Sequence, residues 1–360
     1  MNTNPKKTIN LAVDPGFHAI KVAGLVDQTM TTTLLPSLVG VGALELGLLS
    51  TGGLTRTKRR QKPQVFATAE HTMLVGPHVA QYARTFERFD FDKFGYAPEL
   101  RALTLTALAN WRMRAQVTTE DFNLVVALPV QVLQSSTARA TVKALEDWLV
   151  GEHLFTLDDL PQTFRIHAVK AMAQPLGTFF AWGLHTQGQW TRPPADLKAH
   201  VGVLDQGFNT LDLFTLQGGQ IVRRYTGGET LGMRRAAQLM QALVAQTTGR
   251  KLSLHEADRY VRQNGRKRGG QAHLMVRGEL FPLAPLAKQA ENAAFSEVRA
   301  FLSQQWEDGS QFDYILLTGG GALVLGKRLQ AAFPAAFTLP DPVTANARGF
   351  AKFAQRPGLF

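Results

Sequence analysis

Polar and apolar positions alternate at 8–13 and again at 19–25, on either side of the turn "DPGFH", which is the period of a half-buried hairpin. A second β-rich stretch follows at 63–75. Between 97 and 115 ("APELRALTLTALANWRMRA") the spacing becomes helical after an Ala-Pro start. "FNLVVALPV" (122–130) is a continuous apolar run, a buried strand stopped by Pro129, and "TARATVKALEDWLVG" is an amphipathic helix closed by Gly151. "FRIHAVKAM" is followed by the helix-like "QPLGTFFAWGL" and by a polar, Pro-containing insert (185–199) that predicts a surface loop. The order then begins again. A hairpin at 201–225 leads to a helix from about 231, a long helical region around 284–305 and the strand "YILLTGGG" (314–321). Strands and helices in alternation, with a hairpin opening each half, predict an α/β protein of two domains related by duplication.

The two opening hairpins share more than their period. "VDPGFHAIKVAG" (13–24) and "LDQGFNTLDLFT" (204–215) both place Asp two residues before Gly at a hairpin tip. Such a turn can aim backbone N–H groups at phosphate oxygens, and Gly16 and Gly207 supply the permissive backbone. Asp14 and Asp205 then suit a hydrated Mg²⁺, which keeps several waters and takes only one or two carboxylates. If the halves face each other, the turns grip a polyphosphate from both sides. One triphosphate needs a cation such as Lys21, whereas Asp212 in the second copy can serve structure or a Mg²⁺ water. A third element, "ILLTGGGALVLGKRLQAAFP" (315–334), runs a strand through three glycines into a helix. Without side chains there, a flat nucleoside or an α-phosphate can lie on the backbone and the helix N-terminus.

Composition narrows this picture. A chain of 360 residues, 45% hydrophobic and 19% charged, is globular and long enough for two cores. It has no cysteine, which excludes disulfides, thiolate metal sites and cysteine nucleophiles and fits a reducing cytoplasm. The opening "MNTNPKKTINLAV" passes straight into a strand-like run, so no signal peptide is expected. The one long apolar stretch, 34–54, carries Pro36, Glu45 and five glycines and makes a poor membrane helix. The net charge of +11 favours polyanions; part of it is clumped in "TRTKRRQK" (55–62), "GRKRGG" (265–270) and Arg223, Arg224, Arg234 and Arg235. None of these runs carries interleaved aromatics, and the histidines show no metal-binding spacing.

Together these pieces resemble the actin-like ATPase superfamily, and within it the bacterial plasmid-segregation actins of the ParM/StbA-like branch. The two Asp turns look like its first and second phosphate motifs, and "LLTGGGALVLGKRL" its adenosine motif. "VVALPVQV" sits at the first connecting segment, and "AMAQPLGTFFAWG" (171–183) is similar to the chaperone "EPTAAALAYG" segment, with Gln174 replacing its Glu. "GGETLGMRRA" (227–236) resembles a nucleotide-bordering loop and helix, and "ANARGF" (345–350) the C-terminal return segment.

The resemblance implies an actin-like ATPase fold: two ribonuclease-H-like domains around a nucleotide cleft, 1–172 with a return at 345–360 and 173–344. They would close on Mg-ATP, with ADP as product. It places Asp14, Gly16, Phe17, His18 and Lys21 in the first phosphate loop, and Asp205, Gly207, Phe208, Asn209 and Thr210 in the second. Gly227, Gly228, Glu229, Gly319, Gly320 and Gly321 would border ribose and adenine. Asp14 and Asp205 would hold Mg²⁺ through water and share catalysis with Gln174, which orients the attacking water as a glutamine can in phosphoryl transfer. The expected output is self-assembly into dynamic cytoplasmic filaments that segregate DNA through a DNA-bound adaptor or by direct contact. A nonpolymerising ATP-dependent regulator and a small-molecule kinase are the alternatives.

Overall fold

The computed structural model describes residues 8–42, 62–86, 97–264 and 272–360. Each of its two large sheets grows from one of the repeated hairpins. In the first, Ile9–Pro15 pairs antiparallel with Ala19–Val26, which pairs antiparallel with Thr29–Pro36. Along its other edge Ile9–Pro15 runs parallel to Asp121–Leu128, which is itself parallel to the C-terminal half of Leu160–Ala173. The last five residues of Asp121–Leu128 are all buried, as befits an apolar parallel strand covered on both faces. In the second sheet His200–Gln206 takes the central place. It lies antiparallel to Leu211–Gln217 and parallel to Tyr314–Thr318, with Gln220–Ile221 and Ala336–Thr338 at the edges.

Both sheets therefore cross five strands in the order third, second, first, fourth, fifth. The hairpins agree to the residue: Asp14 lies opposite Lys21, and Asp205 opposite Asp212. The first sheet continues through Gly151–Leu157, antiparallel to the start of Leu160–Ala173, into the short strands Gln64–Ala67, Thr72–Val75, Val39–Val41 and Arg84–Thr85. The β-rich stretch at 63–75 is thus two strands of this extension.

The helix Pro98–Ala115 covers the first sheet, with Trp111 fully buried and its indole N–H donating to Thr31 O at 3.0 Å. The second sheet is covered by Arg234–Thr248, Leu254–Asn264, Ala284–Trp306 and Ala322–Ala332. Two helices, Gln174–Gly183 and Ala345–Phe353, lie between the sheets and cross at glycine. A Cβ on Gly349 would collide with Gly177 O, and Phe180 stacks on Phe353 at 4.3 Å. Leu176 and Phe180 touch buried residues of both sheets, while Ala345–Phe353 packs on the first hairpin.

The insert 185–199 is less open than its polarity suggests. Trp190 packs on Gly183 and Phe179, and Arg192 pairs with Asp196 at 2.7 Å while lying over the Trp182 ring. Of the apolar stretch 34–54, residues up to 42 belong to two strands and their flanks, and 43–54 lie outside the described residues. So do the basic runs 55–62, apart from Lys62, and 265–270. Among the described residues no helix is long and apolar enough to cross a membrane.

Candidate functional site

The two hairpin tips face one another across a cleft of about 240 Å³, lined from the first half by Asp14, Gly16, His18 and Lys21 and from the second by Asp205, Gly207 and Asn209. The turns are closed alike: Gly16 N donates to Ala19 O at 3.1 Å and Gly207 N to Thr210 O at 2.9 Å. A Cβ on Gly16 would come within 2.9 Å of both Ala19 O and Lys21 Nζ, so the backbone stays bare toward the cleft. Phe17, Phe208 and Thr210 also line it.

Three carboxylates converge here, all buried. Asp14 Oδ2 is 3.1 Å from Lys21 Nζ, and its Oδ1 accepts from Gln174 Nε2 at 2.9 Å. Asp205 Oδ2 accepts from Asn346 Nδ2 at 2.6 Å, and Asn346 in turn accepts from Thr178 Oγ1 at 2.6 Å. Asp212 accepts from the backbone N–H of Val130 at 3.1 Å and from Thr210 Oγ1 at 2.8 Å. Burial, and then the neighbouring Asp14, pushes the Asp205 carboxyl up to about 6. Burial, and then Asp205, pushes Asp212 up to about 7. The site thus holds more negative charge than Lys21 alone neutralises.

That excess is the test for a metal. Among the described residues no group of three or more His, Cys, Asp or Glu is gathered so as to hold an ion by protein ligands alone. Mutually repelling carboxylates lining one cleft instead fit an ion that keeps most of its water, as Mg²⁺ does.

Gln174 is buried at the start of its helix and lines the cleft. Its Nε2 donates both to Asp14 Oδ1 and, at 3.0 Å, to Pro15 O. Both partners are acceptors only, which fixes the amide orientation and leaves Oε1 as an acceptor for water. The triple glycine lies against the second hairpin. Gly319 adopts φ +82°, Gly321 N donates to Gln206 O at 2.8 Å, and a Cβ on Gly319 would run into Gln206 O. Gly319 and Gly320 line the cleft, while Gly321 lies one step back against the Gln206 side chain.

The geometry does not bring every expected residue here. Gly227–Glu229 form a strand paired with Leu211–Leu213, outside the cleft lining. Gly228 backs Asp212, where a Cβ would meet Asp212 Oδ1 at 2.8 Å, and the exposed Glu229 accepts from Thr230 N at 2.8 Å. The strand ladder claims this segment because its backbone donors and acceptors match those of the second hairpin. Conversely, Asn346 and Arg262 line the cleft without having been expected there. Asn346 stands in the quoted "ANARGF", so its signal was present, whereas Arg262 looks in sequence like an ordinary i,i+4 partner of Asp258.

Comparison with known proteins agrees with this architecture. The family described as "Actin like proteins N terminal domain" matches residues 12–177, and "Archaeal actin homologue MreB-like, C-terminal" matches residues 203–331. Among solved structures, the archaeal actin homologue Ta0583 in complex with ADP is similar at 16% identity and TM-score 0.73, over 97% of this chain and 99% of that one. A 15-stranded ParM filament from Clostridium botulinum is similar at 17% identity and TM-score 0.73, over the same shares. Bacillus thuringiensis ParM with ATP follows at 12% identity and TM-score 0.64, over 96% and 98%. No curated protein matches the chain by sequence.

Proposed function

Because this chain belongs to the actin-like protein family, we propose that its cleft binds ATP and ADP with Mg²⁺, hydrolyses ATP, and couples that cycle to assembly of the chain into filaments. The observation that carries this reading is the pair of Asp-x-Gly turns, equivalent to the residue, that face each other across one cleft beneath a triple glycine. The relatives support it: one solved structure holds ADP, another ATP, and a third is a filament.

In this reading the two turns, closed by the N–H groups of Gly16 and Gly207 themselves, present other backbone N–H groups to the phosphates, and Lys21 supplies the positive charge. Gly319 and Gly320 leave room for the nucleoside. Asp14 and Asp205 would hold Mg²⁺ through water, and the ion would supply charge neutralisation on the phosphates. Gln174, its NH₂ anchored by Asp14 and Pro15, points Oε1 at the attacking water and holds it for an in-line approach. Positioning of this kind is the main protein contribution to phosphoryl transfer.

We assign 1–172 with 345–360 to one domain and 173–344 to the other, a division supported by the packing of Ala345–Phe353 on the first hairpin. Self-assembly is the primary partnership. The +11 charge supports a polyanion or a DNA-bound adaptor as cargo, with plasmid segregation in a cytoplasm as the setting.

The experiment combines ultracentrifugation, electron microscopy and phosphate release on the purified protein with and without Mg-ATP. Pelletable polymer and released phosphate are expected only with Mg-ATP, and Asp205→Ala should weaken nucleotide binding or block turnover. Binding and hydrolysis without polymer would make the chain a nonpolymerising regulator. An Asp205→Ala protein with unaltered turnover and Mg²⁺ dependence would remove this turn from the site.

A further inference from the structure

One cluster at the rim of the cleft includes two lining residues, His18 and Arg262, that have been given no chemical role. His18, on the first turn, reaches across to the helix Leu254–Asn264 of the other half. Its Nδ1 is 3.5 Å from Asp258 Oδ2, and its ring stacks on His255 at 5.4 Å and tilts against Phe208 at 5.7 Å. Asp258 is buried and held by Arg262, whose Nε donates to Asp258 Oδ2 at 2.7 Å. Arg262 also donates from Nη1 to Gly320 O at 2.9 Å, which ties the helix to the triple glycine. The helix is firmly seated, since Ala257 and Val261 are wholly buried in the second core. Contact with His18 therefore couples one half of the molecule to the other.

We propose that His18 and the helix Leu254–Asn264 form a latch across the cleft, which must open both to admit and to release nucleotide and so sets the exchange rate; this rests on the nucleotide reading above. Two further observations support it. The cleft, at about 240 Å³, falls below the roughly 300–1,000 Å³ of ordinary ligand pockets, and His18 and Arg262 are part of its wall. The latch is also built to give way. His18 faces Asp258, Arg262, His255 and Lys21, and burial holds its pKa down at about 4. The imidazole is thus neutral near pH 7 and draws little on the carboxylate's charge. Asp258 Oδ1, buried, has no hydrogen-bond partner among the described residues. Opening lets water satisfy that oxygen, which offsets the lost ring contacts.

A latch across the mouth of the cleft makes a kinetic prediction that a simple nucleotide contact does not. In stopped-flow measurements with a methylanthraniloyl derivative of ADP and Mg²⁺, His18→Ala should raise both association and dissociation rates, on the order of tenfold each. The dissociation constant should change far less. Because the chain has no cysteine, the double variant His18→Cys, His255→Cys offers a unique thiol pair for a short bis-alkylating reagent. Cross-linking should slow both rates well below those of the untreated double variant, and this keeps the test intact if His18→Ala folds poorly. A faster release with unchanged association would make His18 a contact to bound nucleotide and overturn the latch. Unchanged rates in both directions, or a cross-link without effect, would also overturn it. If the unmodified protein failed to bind the probe at all, the nucleotide reading would fall, and the latch with it.

Discussion

Asp212 stands where Lys21 stands in the first hairpin, opposite the turn aspartate, and this exchange of charge explains the electrostatics of the cleft. Lys21 pairs with Asp14, while Asp212 is pushed up to about 7 by burial and then by the facing Asp205. A carboxyl raised in the folded state costs stability above that value, and the cost fades as pH falls toward its unfolded pKa near 4. Asp212→Asn should therefore stabilise the nucleotide-free protein at pH 8 by about 1–3 kcal/mol, and by much less at pH 5. Urea unfolding at the two pH values checks this; an equal gain at both would mean that charge is not the cause. Gln174 makes the complementary case, a neutral group whose value lies in position. Gln174→Ala should lower phosphate release about tenfold or more while nucleotide binding and assembly persist, giving longer-lived polymers. Light scattering and phosphate release in one sample read both, and normal hydrolysis would leave Gln174 only a helix-start residue.

At the scale of elements, the decisive contact is the crossing of Gln174–Gly183 with Ala345–Phe353. The two backbones approach so closely that a methyl at Gly349 meets Gly177 O, and one at Gly177 meets Asn346 O and the Phe350 ring. This crossing carries both Gln174 and Asn346, so its spacing sets how two cleft groups sit relative to the Asp turns. Gly349→Ala should cost about 1–3 kcal/mol or more by overpacking. Gly227→Ala, where a new Cβ meets nothing within 4 Å, should cost well under half as much. Thermal unfolding of the two variants gives the comparison, and equal losses would show that the helices can separate without strain.

For the whole molecule, the +11 charge is a statement about partners rather than about folding. A filament multiplies weak contacts, so polymer should bind DNA or an acidic adaptor better than the free chain does. Neutralising Arg56, Lys58, Arg59, Arg60 and Lys62 should flatten the salt dependence of DNA co-sedimentation, because fewer counterions are released. Identical salt curves for both proteins would remove this segment from consideration.

The elements and the duplication were legible in the chain itself. Alternation around "DPGFH", the helical spacing after Pro98 and the buried run ending at Pro129 depend on neighbours within a few residues, and those neighbours are written side by side. The turn geometry of Asp14-x-Gly16 and Asp205-x-Gly207 was legible for the same reason. What pairs with those turns was not. Gln174 reaches Asp14 from 160 residues away and Asn346 reaches Asp205 from 141, each delivered by a helix whose place is set by the glycine crossing between the sheets. His18 finds Asp258 only because the second core seats the helix Leu254–Asn264 at the rim, and Gly227–Glu229 are drawn out of the cleft because a neighbouring strand completes their hydrogen bonds. Local periodicity determines which elements form; which distant side chains meet is decided by close packing, which no short window of sequence contains.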